Sequence, residues 1–189
     1  MHLHLRPWQW KDIPDLVRIC NNMHIWNNLR DQMPMPYTAK DAGEWIRFTS
    51  TQQPLRNFCI EADGVVAGGI GMVLHEDVYK RNIEIGYYID QGLWGKGYAS
   101  EAVRQLSEYV FRTTDCIRLY AEVYAHNLAS MAVLRKNGFH LEAILQKSIF
   151  KNNEVLDAHI WVRFREDEAI TPSSDYRSDW PPPRGSTEN

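Results

Sequence analysis

The sequence predicts an α+β fold, a mixed α/β single domain, on three observations. Period-2 runs rich in Ile, Val, Tyr and Phe interleave with segments of helical period in the order β-α-α-β-β-β-α-β-α-β-β. The pair Asp63-Gly64 stands between two β-rich runs, a strong signal for a two-residue hairpin. The stretch QGLWGKGYASEA (91–102) joins a strand pattern to a helix pattern through three glycines. At 189 residues, with 44% apolar and 24% charged side chains, the chain suits one domain with a sizeable core.

The elements follow in order. LHLRPW (3–8) reads as an opening strand. IPDLVRICNNM (13–23) has apolar residues at 13, 16, 17 and 20, a helical spacing, with Pro14 in the first turn where a missing N–H costs nothing. Residues 24–38 have no clean period, and Pro34 and Pro36 make them extended or turned. Thr38 and Asp41 form a capping-box-like start to a helix that runs to about Ser50, with Ala42, Trp45, Ile46 and Thr49 inward. Residues 57–76 make the hairpin around Asp63-Gly64. In NIEIGYYID (82–90), Ile83, Ile85, Tyr87 and Ile89 share one face, and Glu84, Gly86, Tyr88 and Asp90 share the other.

A helix is expected over 95–113, with Ala99, Val103, Leu106 and Val110 on one stripe. IRLYAEVYA (117–125) is β-rich, and 127–139 is a short helix that starts at an Asn and stops at Asn137-Gly138. Residues 140–150, a KNNE turn (151–154) and 155–165 make a final hairpin. The domain therefore spans 1–168. Residues 169–189, rich in Pro, Ser and charge, read as a flexible or loosely docked tail. No internal repeat is visible.

A net charge of −3 supplies no global basic field, so neither nucleic acid nor an anionic membrane surface is expected as a partner. No run approaches a membrane span, and the N-terminus lacks the apolar core of a signal peptide. Cys20, Cys59 and Cys116 form no CxxC pair, and their odd count fits a reducing, cytoplasmic setting and three small buried residues. The seven histidines show no HExxH spacing, and no metal is expected.

Three chemistries use a strand, a glycine loop and a helix start. A P-loop needs GxxxxGK[ST], but Gly97 follows Lys96 here. A Rossmann fingerprint needs Gly or Ala where Ser100 stands, and it comes early in a βαβ unit, whereas this loop sits mid-chain after a hairpin. The third is a pyrophosphate cradle for coenzyme A. There, helix N-terminal N–H groups and the positive end of the helix dipole face the phosphates, glycines let the backbone come close, and Lys96 adds charge. A glycine turn with no ligand uses the same residues.

NIEIGYYIDQGLWGKGYASEAVRQL resembles the central motif of the GNAT superfamily, the acetyl-CoA-dependent N-acetyltransferases. The family's [QR]xxGx[GA] appears as Trp94-Gly95-Lys96-Gly97-Tyr98-Ala99, with Trp94 departing from the usual Gln or Arg. Downstream, N-x-x-S-x-x-V-L-x-K-x-G-F appears as Asn127, Ser130, Val133, Leu134, Lys136, Gly138 and Phe139. With MPMPYTAKDAGEWI (33–46), this looks like the branch that acetylates ribosomal-protein N-terminal alanines. The resemblance covers residues 3–166.

It implies a mixed sheet of six to seven strands with about four helices, splayed between strands 82–90 and 117–124. Acetyl-CoA lies in the wedge, its pantetheine bonded to the exposed backbone at 87–89. Trp94, Gly95, Lys96, Gly97, Tyr98, Ala99 and Ser100 form the implied phosphate cradle. Asn127 caps its own helix and touches the pantetheine, or only caps. Lys136 and Arg104 reach the 3′-phosphate or stay solvated.

The implied reaction is direct attack of a neutral amine on a thioester. Glu84 is either the general base or a strand glutamate paired with Arg or Lys. A backbone N–H at Tyr88 or Ile89 serves the oxyanion. Ser130 either supplies a proton to the leaving thiolate or bonds its own helix backbone, because the tyrosine that other members use near Leu134 is absent. Being irregular, 24–38 and 75–81 are the expected acceptor wall, with Trp26, Asn28, Arg30, Asp31 and Tyr37 as its notable residues. Ordinary loop packing explains the same five.

Two acceptors remain open: a protein N-terminal α-amine, or a small amine such as a polyamine, amino sugar or amino acid derivative. A catalytically silent acyl-CoA-binding module is the third reading. A monomer and a homodimer paired through the final hairpin are both compatible with the pattern.

Overall fold

A computed structural model describes residues 2–165. Seven strands form one sheet in the order β1-β2-β3-β4-β5-β7-β6. They are β1 (Leu3–Arg6), β2 (Asn57–Ala62), β3 (Val65–Leu74), β4 (Asn82–Ile89), β5 (Arg118–Tyr124), β6 (His140–Lys151) and β7 (Glu154–Phe164). Every neighbouring pair is antiparallel except β4–β5, which is parallel. Five α-helices lie among the described residues: α1 (Ile13–Cys20), α2 (Met23–Trp26), α3 (Ala39–Ser50), α4 (Tyr98–Thr113) and α5 (Leu128–Lys136). The expected tail, 169–189, lies outside the described residues.

Local chemistry accounts for the element boundaries. Asp63 and Gly64 both take positive φ, +50° and +85°, the geometry of the tight hairpin turn between β2 and β3. Asn152 and Asn153, at +53° and +62°, do the same between β6 and β7. Thr38 accepts from the Asp41 amide and the Asp41 carboxylate answers the Thr38 amide, a reciprocal cap that starts α3.

Two expectations change. The segment 24–38 is not wholly irregular, because the Asn22 side chain caps the short helix α2. The helix expected over 95–113 begins at Tyr98, because Gly95 and Gly97 sit in the left-handed region and cannot join its first turn.

Alternation along the strands divides the core into two layers. Phe58, Ile60, Ile70, Met72, Ile83, Ile85 and Ile89 pack under Val103, Leu106 and Val110 of α4 and Leu134 of α5. On the opposite face, Cys59 and Val66 pack under Leu16, Ile19 and Cys20 of α1 and Ala42 and Ile46 of α3. All three cysteines are free and buried. No described helix is long and apolar enough to cross a membrane.

One ion-pair cluster locks the N-terminal strand. Arg6 forks onto both oxygens of Asp12, at 2.7 and 2.9 Å, and its Nε reaches Glu61 of β2 at 2.6 Å. Asp12 is 2% exposed and also accepts from the Gln9 amide. Burial pulls its carboxyl pKa up, but the bonds from Arg6 and Gln9 outweigh burial and hold the pKa below the ordinary value. This pair therefore stabilises the fold fully above about pH 4, and the contribution fades as the pH falls through the lowered folded value. Arg6→Met should cost about 3 kcal/mol or more in urea unfolding at neutral pH, since it strands a buried carboxylate. The gap from wild type should narrow as the pH drops toward 2.

Candidate active site

The β4–β5 pair stays in register for only three residue pairs: Asn82–Arg118, Ile83–Leu119 and Glu84–Tyr120. Beyond them β4 runs on to Ile89 against β3, and β5 to Tyr124 against β7. The sheet thus opens into a wedge with Glu84 and Tyr120 at its base. Each strand there keeps one edge of N–H and C=O groups that no sheet partner satisfies. A cavity of about 1460 Å³ fills the wedge and spreads over both faces, lined by Glu84–Ile89, Gly95, Gly97–Ser100, Ala121–Tyr124 and Asn127–Ser130.

On one side stands the glycine loop. Gly95 and Gly97 have φ of +75° and +85°, and a Cβ built on either would meet no atom within 4 Å. These glycines serve backbone conformation, and the space above them is open to a ligand. No side chain caps α4, so the N–H groups of its first turn stay free of intrahelical partners. Hydrogen bonds from several side chains hold the loop. The Trp94 indole donates to the Ile89 carbonyl at 2.8 Å, Tyr98 donates to Asp63 at 2.8 Å, and Asp90 holds both Arg18, at 2.5 Å, and the Gly92 amide.

Lys96 lies outside the cavity lining, whereas Lys136 is part of it. Arg104 is engaged by Glu101 and Glu108, at 2.6 Å each. Free N–H groups, open glycines and an uncapped 16-residue helix fit a pyrophosphate. The unpaired strand edges fit an amide-bearing arm.

On the other side Glu84, 16% exposed, accepts from Arg30 at 2.5 Å and from the Tyr120 hydroxyl at 3.5 Å. Arg30 also lies 3.8 Å from Glu122 of β5. Asn28 meets His126 at 3.0 Å. Arg30, Asn28 and Tyr37 all line the cavity. Tyr37 is nearly buried, and its backbone N–H and C=O are both held by the Asn21 side chain.

Trp26 and Asp31 are not in the cavity lining. They clasp Lys151 at the tip of the β6–β7 hairpin. Its ammonium sits 3.2 Å from the centre of the Trp26 ring and 2.5 Å from Asp31, and the residue is 3% exposed. Beside it, Asn152 bonds Asn27. The segment 24–38 thus borders the cavity, and the hairpin tip fastens it through Trp26, Asp31 and Asn27. Residues 75–81 contribute nothing to the lining.

At the wedge itself, the Ser130 hydroxyl lies 2.8 Å from the Tyr87 phenol, and its amide donates to Asn127, the N-cap of α5. Burial pushes the Tyr87 phenol pKa up, with the Ser130 bond opposing, so the phenol keeps its proton. Sequence reasoning assigned Tyr87 to the core stripe because it alternates with Ile85 and Ile89. Its hydroxyl was the signal that it also reaches a polar partner. Glu122 and Tyr120 were likewise missed, though both stand on β5 beside Glu84. Among the described residues, no group of His, Cys, Asp and Glu side chains is arranged to hold a metal.

A wedge that exposes strand edges beside a glycine-capped helix is the architecture of an acyl-CoA-dependent transferase. Residues 2–140 match the family model described as "Acetyltransferase (GNAT) domain", and the chain belongs to that family of acetyltransferases. The probable N-acetyltransferase YjcK of Bacillus subtilis (strain 168) is 44% identical over 75 residues, which cover 40% of this chain and only 41% of the relative. The spermidine N(1)-acetyltransferase of Escherichia coli (strain K12) is 28% identical over 155 residues, 82% of this chain and 81% of that protein.

Among solved structures, Mycobacterium smegmatis RimJ in complex with CoA-disulfide superposes with a TM-score of 0.77 at 22% identity, covering 87% of this chain and 82% of that one. RimL, the ribosomal L7/L12 alpha-N-protein acetyltransferase, in complex with coenzyme A, gives 0.75 at 22%, covering 86% and 93%. At such identity the likeness is one of fold.

Two outcomes are expected. Gly86 lines the cavity, has no left-handed φ, and a Cβ there meets nothing. Gly86→Val should therefore change stability by no more than about 0.5 kcal/mol and still cut thiol release from acetyl-CoA at least about tenfold, by filling the wedge. Lys151→Met removes the clasp's charge. It should cost about 1 kcal/mol in thermal unfolding and raise the amine KM several-fold, with the acetyl-CoA KM unchanged.

Proposed function

We propose that this acetyltransferase moves the acetyl group of acetyl-CoA to a primary amine by direct attack, with a protein N-terminal α-amine as the first acceptor class. The observation that carries the reading is the parting of β4 and β5 immediately past Glu84, which sets a carboxylate at the base of the wedge opposite an open helix N-terminus. Acetyl-CoA supplies an activated thioester. The chain's residues bind it, orient it and handle protons.

Free N–H groups at Gly97–Ser100 and the positive end of α4 receive the pyrophosphate, with Lys136 as the added charge. The open edge of β4 near Tyr88 and Ile89 takes the pantetheine, with a strand N–H as donor to the acetyl oxygen. Trp94 holds the Ile89 carbonyl and so fixes that edge.

Glu84 takes a proton from the amine. Arg30 bonds one of its oxygens and leaves the other toward Tyr120. Tyr87 and Ser130 share a hydroxyl proton suited to the leaving thiolate. The acceptor half carries four carboxylates, Asp41, Glu44, Glu84 and Glu122, against the single guanidinium of Arg30, which favours a cationic amine.

An α-amine, with a pKa near 8, is already neutral in about one molecule in ten at pH 7, whereas a lysine near 10.4 needs far more help. The breadth of the cavity supports a peptide end. The same carboxylates, together with the likeness to a spermidine acetyltransferase over 82% of this chain, favour a polyamine as the second reading.

The test is thiol release with alanine- and serine-terminated peptides, lysine peptides, spermidine and an aminoglycoside. Preferential turnover of the terminal-amine peptides supports the first reading, and preference for spermidine replaces it with the second. No turnover with any amine, despite acetyl-CoA binding, removes the enzymatic reading for these acceptors. Glu84→Gln should lower turnover about 100-fold, most severely at pH 6, where the amine is most protonated. A wild-type pH profile would take Glu84 out of the reaction.

A further inference from the structure

An ammonium that becomes an amide while a thiolate becomes a thiol releases one net proton, which must leave a wedge sealed at its base by sheet. The register shows where it can go. Val73, Glu84 and Tyr120 lie side by side on β3, β4 and β5, and His75 stands two residues beyond Val73. Glu84 and Tyr120 therefore project from one face of adjacent strands, and His75, one residue past the end of β3, meets Tyr120 there. Glu84 lines the cavity, whereas Tyr120 and His75 do not. Both are half-buried and outside its lining.

The Tyr120 hydroxyl lies 2.9 Å from His75 Nε2 and 3.5 Å from Glu84 Oε2. The two rings stack, with centroids 5.8 Å apart and planes at 17°. The hydroxyl has one proton for these two acceptors: with His75 in its Nδ1–H tautomer it donates to Nε2 across the shorter bond, and an oxygen lone pair then faces Glu84.

We propose that Tyr120 and His75 form a proton relay that carries the proton collected by Glu84 out of the active site. This rests on the reading of Glu84 as the group that accepts the amine proton. The amine N–H bond breaks as an O–H bond forms on Glu84. That proton passes to the Tyr120 oxygen while the phenol proton passes to His75 Nε2. The imidazolium then gives a proton to water, and hydroxyl and ring return to their starting tautomers before the next cycle. Burial, and then the Glu84 charge, push the Tyr120 phenol pKa up, so the group conducts a proton without resting as a phenolate.

The charged groups around this line bear on its pH response. Arg30 and Glu122 flank Glu84, Arg118 sits 4.8 Å from the centre of the Tyr120 ring and pairs with Glu142, and Glu76 and Asp77 follow His75 in the chain. Neither Tyr120 nor His75 touches the cavity, so both act through Glu84 and not on substrate.

The test uses the whole protein with the most active amine of the panel above. Tyr120→Phe and His75→Phe keep the stacked rings and remove the relay atoms. Each should lower kcat about tenfold, with the KM for acetyl-CoA unchanged and the pH–rate profile displaced to higher pH. The double variant should fall no further than either single one, because both cut the same path. Added imidazole should restore part of the His75→Phe rate.

Additive losses, or a His75→Phe enzyme with the wild-type rate and pH profile, would overturn the relay. If Glu84→Gln is slow while His75→Phe is normal, the relay alone fails. If Glu84→Gln is also normal, the reading of the base fails with it. A readout free of turnover is the imidazole 15N spectrum. A single Nδ1–H tautomer at His75 that is lost in Tyr120→Phe supports the relay, and an unaltered mixture of tautomers counts against it.

Discussion

The constraint on which this structure depends is the unmet hydrogen bonding of two parallel strands that part after three residue pairs. A buried sheet rarely leaves N–H and C=O groups without partners, and here the departure is held open from both sides. On one side α5 comes close enough for Ser130 to meet Tyr87. On the other, Trp94 ties the glycine loop back to Ile89. β3 and β7 keep β4 and β5 fully paired on their outer edges, so the opening costs the sheet little beyond the wedge itself.

Around that wedge the molecule divides its labour between the two faces. The α4 and α5 face carries the larger apolar core together with the loop and helix start that suit a phosphate. The α1, α2 and α3 face carries the smaller core and the carboxylates that suit an amine. Glu84 belongs to the second face by the alternation of β4, and Tyr87 to the first. One strand thus delivers a carboxylate to one side and a phenol hydroxyl to the other.

What the sequence made legible was local. The Asp63-Gly64 turn, the Thr38–Asp41 cap and the alternation of β4 are each specified within a few residues, and all three stand in the structure. The glycine loop was legible as an anion-type turn because its chemistry is carried by the backbone. What escaped was side-chain pairing across long separations. Trp26 and Asp31 look like substrate residues in an irregular loop until Lys151 arrives more than a hundred positions later. His75 sits beyond a strand end and acquires meaning only when the register sets it beside Tyr120. No window of local sequence contains both members of such a pair.

The Lys151 clasp bears on the order in which the molecule is completed during synthesis. Strands β1 to β5 and helices α1 to α5 all precede the final hairpin, so a chain leaving the ribosome can build the phosphate-type half before residue 151 has been added. Trp26 and Asp31 wait for that lysine. The segment 24–38 that borders the cavity is therefore fastened late, by a residue added 120 positions after Asp31.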